Sequence, residues 1–279
     1  MSVKAEPSST TIIRPTRGWG FPSFREVWRY RELLYFLVWR DVKVRYKQTV
    51  LGAAWAIIQP FFTMVVFSIF FGRLAKVPTD GLPYPIFAYS ALIPWHYFAH
   101  ALSESGSSLV REQRLITKVY FPRLVTALAP MFGGLVDFAI AFSVLIGMMI
   151  WYNISPTIGV LALPLWIILA MMTALAVGTW FSALNVKYRD IRYVIPFLTQ
   201  LWLFSTPIAY SSSIVPEKWR LLYGLNPMAG VVEGFRWGLL GQKPPSPQML
   251  LISAGGVVLL LIGGLLYFRR TERTFADIV

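Results

Sequence analysis

Six apolar stretches, each near the length of a membrane crossing, govern what this 279-residue chain can become. They run roughly over Leu51–Phe71, Tyr84–Leu102, Leu124–Trp151, Pro156–Ala183, Ile191–Ser211 and Gln248–Phe268. A helix needs about 20 apolar residues to cross a hydrocarbon core about 30 Å thick. The expected fold is therefore an all-α integral membrane protein with six transmembrane helices. A seventh stretch, Leu221–Leu240, has nearly the length but contains Asn226-Pro227, Glu233 and Arg236. Those residues are expensive at full membrane depth, so this stretch reads as a re-entrant or interfacial helical hairpin between the fifth and sixth spans.

Charge supports the same class. Charged residues make up 14% of the chain, against about 25% in an ordinary soluble domain. Yet the net charge is +13. On a polar chain that excess would point to nucleic acid; on one 56% apolar it points to a membrane protein with its cations on one side of the bilayer. With six spans and a cytoplasmic N-terminus, 20 of the 26 Lys and Arg residues fall inside. Making the seventh stretch a true span lowers that number to 18, so six spans with both termini cytoplasmic is preferred. The absence of cysteine removes disulfides, thiolate metal sites and cysteine nucleophiles together.

Residues 1–20 read as a flexible cytoplasmic lead, with no signal-peptide pattern. Residues 21–50 read as an amphipathic interface helix, 51–268 as the six-span domain and 269–279 as a cytoplasmic tail. On the helix from Phe24 to Tyr46, Phe24, Val27, Trp28, Leu34, Tyr35, Val38 and Val42 fall on one face. Arg25, Glu26, Arg29, Glu32, Arg40, Lys43 and Lys47 fall on the other. Such a helix serves as a surface anchor, or its polar face also docks a soluble partner. The loop Ser103–Arg123 has room for a short helix over Ser107–Thr117, and Pro122 breaks the chain before the third span. Asn185–Asp190 forms a charged elbow after the fourth span.

Several motifs in order resemble one family. They are Arg40-Asp-Val-Lys-Val-Arg-Tyr-Lys-Gln-Thr-Val-Leu-Gly52 with Trp55 and Gln59-Pro60, then Leu115-Ile-Thr-Lys-Val-Tyr-Phe-Pro-Arg123 and the elbow Asn185–Asp190. Thr206-Pro-Ile208, Leu225-Asn-Pro-Met228 and Phe268-Arg-Arg-Thr-Glu-Arg273 follow. From about Arg31 to the C-terminus the chain resembles the type-2 ABC transporter permeases that export O-antigen (Wzm type), relatives of capsule and teichoic-acid exporters. The resemblance implies a homodimeric channel in the bacterial inner membrane, carrying a lipid-linked polysaccharide. Two copies of a nucleotide-binding ATPase subunit would drive it, with ATP and magnesium held on that partner and no cofactor in this chain.

Carried onto this sequence, ATPase coupling would fall to Arg40, Asp41, Lys43, Arg45 and Lys47, and to Arg111, Arg114 and Lys118 in the loop. The extracytoplasmic gate would be Trp219–Gly241, with Asn226, Pro227, Glu233 and Arg236. A separate motor agrees with the residues themselves: no G-x-x-x-x-G-K-[ST] phosphate loop and no hydrolase motif occurs, so the chain reads as a transport subunit and not an enzyme.

The chain holds 20 Phe, 13 Tyr and 11 Trp. Aromatic belts at the interfaces account for many of them. A conduit with aromatic walls would use others, because sugar rings slide their C–H faces over such surfaces. Candidates are Trp55, Phe61, Phe62, Tyr89, Trp95, Tyr97, Trp202, Phe204 and Tyr210. Asp137, near the middle of the third span, must face protein, water or a donor. It is open to a structural hydrogen bond, a conduit position or ion coupling. His96, His100 and Glu104 share a helical face at i, i+4 and i+8, a spacing that suits a metal or a polar, water-facing helix end; no metal is expected. Glu233 and Arg236, three apart, can pair on one face. A small-molecule or drug permease of the same fold, and more remotely an intramembrane metalloenzyme, are the competing functions.

Overall fold

The computed structural model describes residues 24–47 and 52–272. The expected lead over 1–20, the tail from 273 and the link 48–51 lie outside the described residues. The chain is helical almost throughout: α1 (Phe24–Arg29), α2 (Arg31–Lys47), α3 (Gly52–Phe67), α4 (Tyr84–Arg111), α5 (Gln113–Ile116), α6 (Leu124–Trp151), α7 (Leu163–Lys187), α8 (Ile191–Ser205), α9 (Glu217–Tyr223), α10 (Pro227–Leu240) and α11 (Pro247–Glu272). A π-helical turn, Ser68–Leu74, continues α3, and a 3₁₀ turn, Ile158–Ala162, leads into α7.

Four of these segments are both long and apolar enough to cross a membrane: Ala54–Leu74, Leu124–Trp151, Ile158–Lys187 and Pro247–Glu272. They coincide with the expected first, third, fourth and sixth crossings. The expected second lies in α4, whose 28 residues extend about 42 Å. α4 is long enough but too polar, carrying Ser90, His96, His100, Glu104, Ser105 and Ser108. The physical reason is its position. α4 packs along α6 and α7 and also meets α3, α8 and α10, and most of its residues from Ile86 to Leu109 are buried. A helix enclosed by other helices has no need of an apolar lipid-facing coat.

The expected fifth crossing differs more. α8 ends at Ser205, six residues before Ser211, and its 15 residues reach only about 22 Å. Thr206 is extended (φ −99°, ψ 142°) because a residue preceding proline is driven out of the helical region by Pro207. The loop helix expected over Ser107–Thr117 is divided in the structure. Its first part is the last turn of α4, and Gln113–Ile116 forms the separate α5.

The single helix expected from Phe24 to Tyr46 is also divided, at Tyr30, and its faces are rotated from the expected ones. Val27 and Leu37 are buried and Leu34, Val38 and Val42 half-buried, whereas Trp28 and Tyr35 stand 69% and 72% exposed. Arg40, Asp41 and Arg45 turn inward instead. Counter-charges on α4 and α6 draw these three toward the protein, leaving the aromatics outside.

Small residues set how closely the helices approach. A methyl group on Gly264 of α11 would lie 2.8 Å from the Ala176 carbonyl oxygen of α7 and against the Thr179 hydroxyl. Beside it, Trp180 stacks on Tyr267 at 5.1 Å and donates Nε1–H to the Leu260 carbonyl at 3.0 Å. Gly264→Val should therefore destabilise the fold by about 1–3 kcal/mol through overpacking. Thermal unfolding of the purified protein in detergent reads this directly. Gly255→Ala, which meets nothing within 4 Å, should leave the midpoint unchanged.

Candidate functional site

A cavity of about 680 Å³ opens between α2, α3, α4 and α6, walled by Trp55, Gln59, His96, Tyr97, His100 and Asp137 among others. Asp137 accepts hydrogen bonds from the Arg45 guanidinium and the Tyr46 hydroxyl. A second guanidinium nitrogen of Arg45 lies 2.9 Å from Nε2 of His100. Asp137 lies 13 residues into α6, about 20 Å from its start, and α2 meets it at that depth. The expected mid-span carboxylate thus has its compensating donors on α2, and it also lines the cavity.

One turn before Asp137, Gly134 lets α4 come close: a Cβ there would lie 3.2 Å from His100 and 3.5 Å from Tyr97. Tyr97 donates its hydroxyl to the Met131 carbonyl at 3.2 Å, and Phe138 meets its ring edge-on at 5.9 Å. Planar apolar faces therefore stand beside a charge-compensated polar corner. Such a wall can accommodate hydroxyl-bearing groups without attracting a strong charge of either sign.

Beyond this cavity, α2 is fastened to the end of α4 by charge. Arg40 donates to both carboxylate oxygens of Glu112, one at 3.0 Å, and to Asp41 at 2.9 Å. Arg111 lies 3.7 Å from both Asp41 and Glu112 and bonds Glu104. The Glu112 hydrogen bond leads the effects that raise the Arg40 pKa, so its charge is permanent. The eight residues expected to couple to an ATPase therefore divide. Arg40, Asp41, Arg45 and Arg111 are engaged within the chain, whereas Lys43, Lys47, Arg114 and Lys118 are exposed. Lys43 places its ammonium 4.1 Å from the Trp39 ring centroid. Sequence reasoning missed Glu112 as the centre of this junction, although a carboxylate in a basic loop was the available signal.

His96, His100 and Glu104 do share a face of α4, but their environments differ. His100 faces Arg45, Glu104 pairs with Arg111, and Nε2 of His96 is buried with no hydrogen-bond partner. Among the described residues no three His, Asp or Glu side chains converge as metal ligands would.

The nine aromatic candidates also separate. Tyr89, Trp95 and Tyr97 are buried on α4; Tyr89 donates to the Ala141 carbonyl, and Tyr97 also lines the cavity. Trp55, Phe61, Phe62 and Phe204 are exposed on α3 and α8, and Trp55 (58% exposed) reaches the cavity wall. Trp202 packs edge-on against Phe98 at 4.9 Å and donates Nε1–H to Asn226 at 2.8 Å. The Tyr210 hydroxyl lies 3.1 Å from that of Tyr223.

At the opposite end of the bundle, Asn226 caps α10 by accepting from Met228 N–H, and Pro227 fills its first turn. The Asn226 amide also donates to the Ser205 carbonyl and the Thr206 hydroxyl, tying the end of α8 to the start of α10. α10 closes on Gly241 in the left-handed conformation (φ +71°), which glycine adopts without steric penalty. The expected Glu233–Arg236 pair takes another form. Arg236 is 4% exposed and donates to the carbonyls of Pro207, Ile208 and Phe87 at 2.6, 2.9 and 3.2 Å. Its guanidinium carbon lies 3.5 Å from the Phe87 ring centroid. The turn after α8 presents two of these carbonyls and α4 the third to a planar five-donor fork, a better match than one carboxylate.

A family profile described as ABC-2 type transporter matches residues 32–240, well over half of the chain. The chain belongs to the ABC-2 type transporter family. In this ABC-2 chain the matched region runs from α2 through α10, so it contains the cavity, the charged junction and the Arg236 cluster. The chain is 29% identical over 230 residues to the O-antigen export system permease protein RfbA of Myxococcus xanthus, covering 81% of this chain and 87% of that protein. It is 28% identical over 206 residues to an RfbA of Klebsiella pneumoniae, covering 74% and 79%. To the polysialic acid transport protein KpsM of Escherichia coli it is 22% identical over 196 residues, covering 70% and 76%.

Proposed function

We propose that this chain is the permease subunit of an ABC exporter that moves a lipid-linked, O-antigen-like polysaccharide across the bacterial inner membrane. The observation that carries the reading is the alignment with O-antigen export permeases over most of both chains. Two copies of the chain form the conduit, and two ATPase subunits supply the energy. α4, together with α8 and the turn that carries the chain on to Ser211, joins the four apolar segments to make six spans, with both termini cytoplasmic. α1 and the first half of α2 lie in the inner interface, where the exposed Trp28, Tyr35, Phe36 and Trp39 meet lipid headgroups. α9 and α10 form the re-entrant extracytoplasmic gate. A second copy is supported by α8, on which Phe197, Leu201 and Phe204 are exposed and only Ile195 is buried. Lys43, Lys47, Arg114 and Lys118 are the cations left facing the ATPase, and the cavity beside Asp137 receives the sugar chain.

The test is ATP-dependent export of a defined glycolipid from vesicles that contain the chain and its ATPase. Trp55→Ala should slow export by about two- to tenfold, the worth of one aromatic contact, with dimer assembly intact. Loss of assembly would make Trp55 a packing residue. Absence of ATP-dependent glycolipid export from the unaltered complex would overturn the function itself.

A further inference from the structure

The elbow between α7 and α8 takes no part in the cavity beside Asp137, the charged junction or the Arg236 cluster. It is pinned to α4 from both sides. Before it, Asn185, 5% exposed, donates its amide to the Gly106 carbonyl at 3.3 Å. After it, Ile195 packs so close that a Cβ on Gly106 would lie 2.8 Å from its Cδ1. Tyr188 leaves the helical region (φ −128°, ψ 107°), and its carbonyl accepts from Ile191 N–H at 3.2 Å, which makes the turn tight. Lys187, Tyr188, Arg189, Asp190, Arg192 and Tyr193 are all exposed on it.

Its charge is one-sided. Lys187, Arg189 and Arg192 stand against Asp190 alone, a net +2 from three cations and one carboxylate. Among the described residues none of these three cations has an ion pair, whereas Arg40, Arg45, Arg111 and Arg269 each meet a carboxylate of the chain. Two of the elbow cations lie on tyrosine rings instead. Lys187 is 5.2 Å from the Tyr188 centroid, and Arg192 is 4.7 Å from that of Tyr193, to whose hydroxyl it donates at 2.8 Å. Both tyrosines are more than half exposed. Apolar surface begins at once: Val194 and Leu198 are exposed one turn apart on α8, to one side of Phe197, Leu201 and Phe204. Uncompensated cations, amphipathic rings at the rim and an apolar strip beside them match an anionic headgroup joined to acyl chains. A free phosphate would satisfy the cations and leave the strip bare, and so would an acidic soluble partner.

We propose that this elbow holds the headgroup of an anionic phospholipid of the inner leaflet, with Lys187, Arg189 and Arg192 on its phosphate and Tyr188 and Tyr193 at the level of the glycerol esters. One acyl chain follows Val194 and Leu198, leaving Phe197, Leu201 and Phe204 to the second copy. The choice of leaflet rests on the topology of the exporter reading; the lipid site itself goes beyond that reading.

The test places the chain and its ATPase in nanodiscs of phosphatidylglycerol and phosphatidylcholine in equal parts, with a photoreactive phenylalanine derivative in place of Val194. Mass spectrometry after illumination identifies what has become attached there. Phosphatidylglycerol should exceed phosphatidylcholine by about thirtyfold, the effect of two net charges near the surface. Arg189→Gln and Arg192→Gln should each lower that ratio about fivefold, whereas Lys43→Gln, on α2, leaves it unchanged. Both arginines are exposed, so these variants keep the packing of the elbow. Equal attachment to the two lipids, a ratio indifferent to both elbow variants, or attachment to the ATPase or the second copy in place of lipid would overturn the site. So would displacement of the phospholipid by the lipid-linked glycan, or by inorganic phosphate beyond the effect of chloride at equal ionic strength. Glycolipid export without a lipid preference removes the site alone; a lipid preference without export removes the exporter reading and leaves the site.

Discussion

Replacing Arg236 with alanine should unfold the α9–α10 end of this protein, with a loss of about 3–5 kcal/mol and little folded protein recovered. The residue is 4% exposed, and its guanidinium satisfies the carbonyls of Pro207, Ile208 and Phe87. Truncation leaves those acceptors buried without donors, at about 1–3 kcal/mol each, and it opens a hole beside the Phe87 ring. The relief from no longer burying a cation offsets part of this, so the loss is smaller than the sum. Arg236→Lys keeps the charge but concentrates three donors at one point and cannot reach carbonyls on both sides, so it should fall between. Thermal unfolding in nanodiscs, together with protease cleavage in the 206–226 segment, measures both variants. A midpoint for Arg236→Ala within about 2 °C of the parent would show that the cluster is dispensable.

Asp137→Ala should cost about 1–3 kcal/mol, less than a fully buried pair, because Arg45 and Asp137 keep 33% and 25% side-chain exposure. The change deprives both Arg45 and Tyr46 of their common acceptor and frees the end of α2 from α6. The double variant Arg45→Leu with Asp137→Leu should be more stable than the sum of the two single losses predicts, because no uncompensated charge is left behind. Simple additivity in that cycle would mean that the two side chains do not act as a pair. The chain contains no cysteine, so a pair introduced on α2 and α6 would report their separation by cross-linking without background.

The all-helical class was legible because apolar runs of membrane length leave few alternatives. The four segments with unbroken apolar character coincide with expected crossings. α4 shows where hydropathy loses force: its polar residues are tolerated by enclosure among other helices, which no local window reports. The end of α8 was signalled by Pro207, but the apolar residues beyond it obscured the stop.

Side-chain partnerships were less legible, since they depend on distance in the fold. Asp137 clearly required a donor, yet Arg45 and Tyr46 lie 92 and 91 residues away. The i, i+3 spacing of Glu233 and Arg236 offered an obvious pair, but carbonyls 28 and 29 residues upstream, in the turn after α8, compete for the same donors. On α2, helical periodicity gave a polar face to solvent. The carboxylates of Glu112 and Asp137 turn Arg40 and Arg45 toward the protein instead.

The length of α4 and α6 carries a mechanical consequence. Each has 28 residues and measures about 42 Å, some 12 Å longer than a hydrocarbon core. Tilting a helix of that length by about 10° about its midpoint would sweep each tip through roughly 3.5 Å. That stroke exceeds the reach of the 3.0 Å bond joining Arg40 to Glu112 at the tip of α4. For any such tilt α2 would have to travel with the end of α4 or release the Arg40–Glu112 bonds, so the charged junction ties the position of one helix to the inclination of the other.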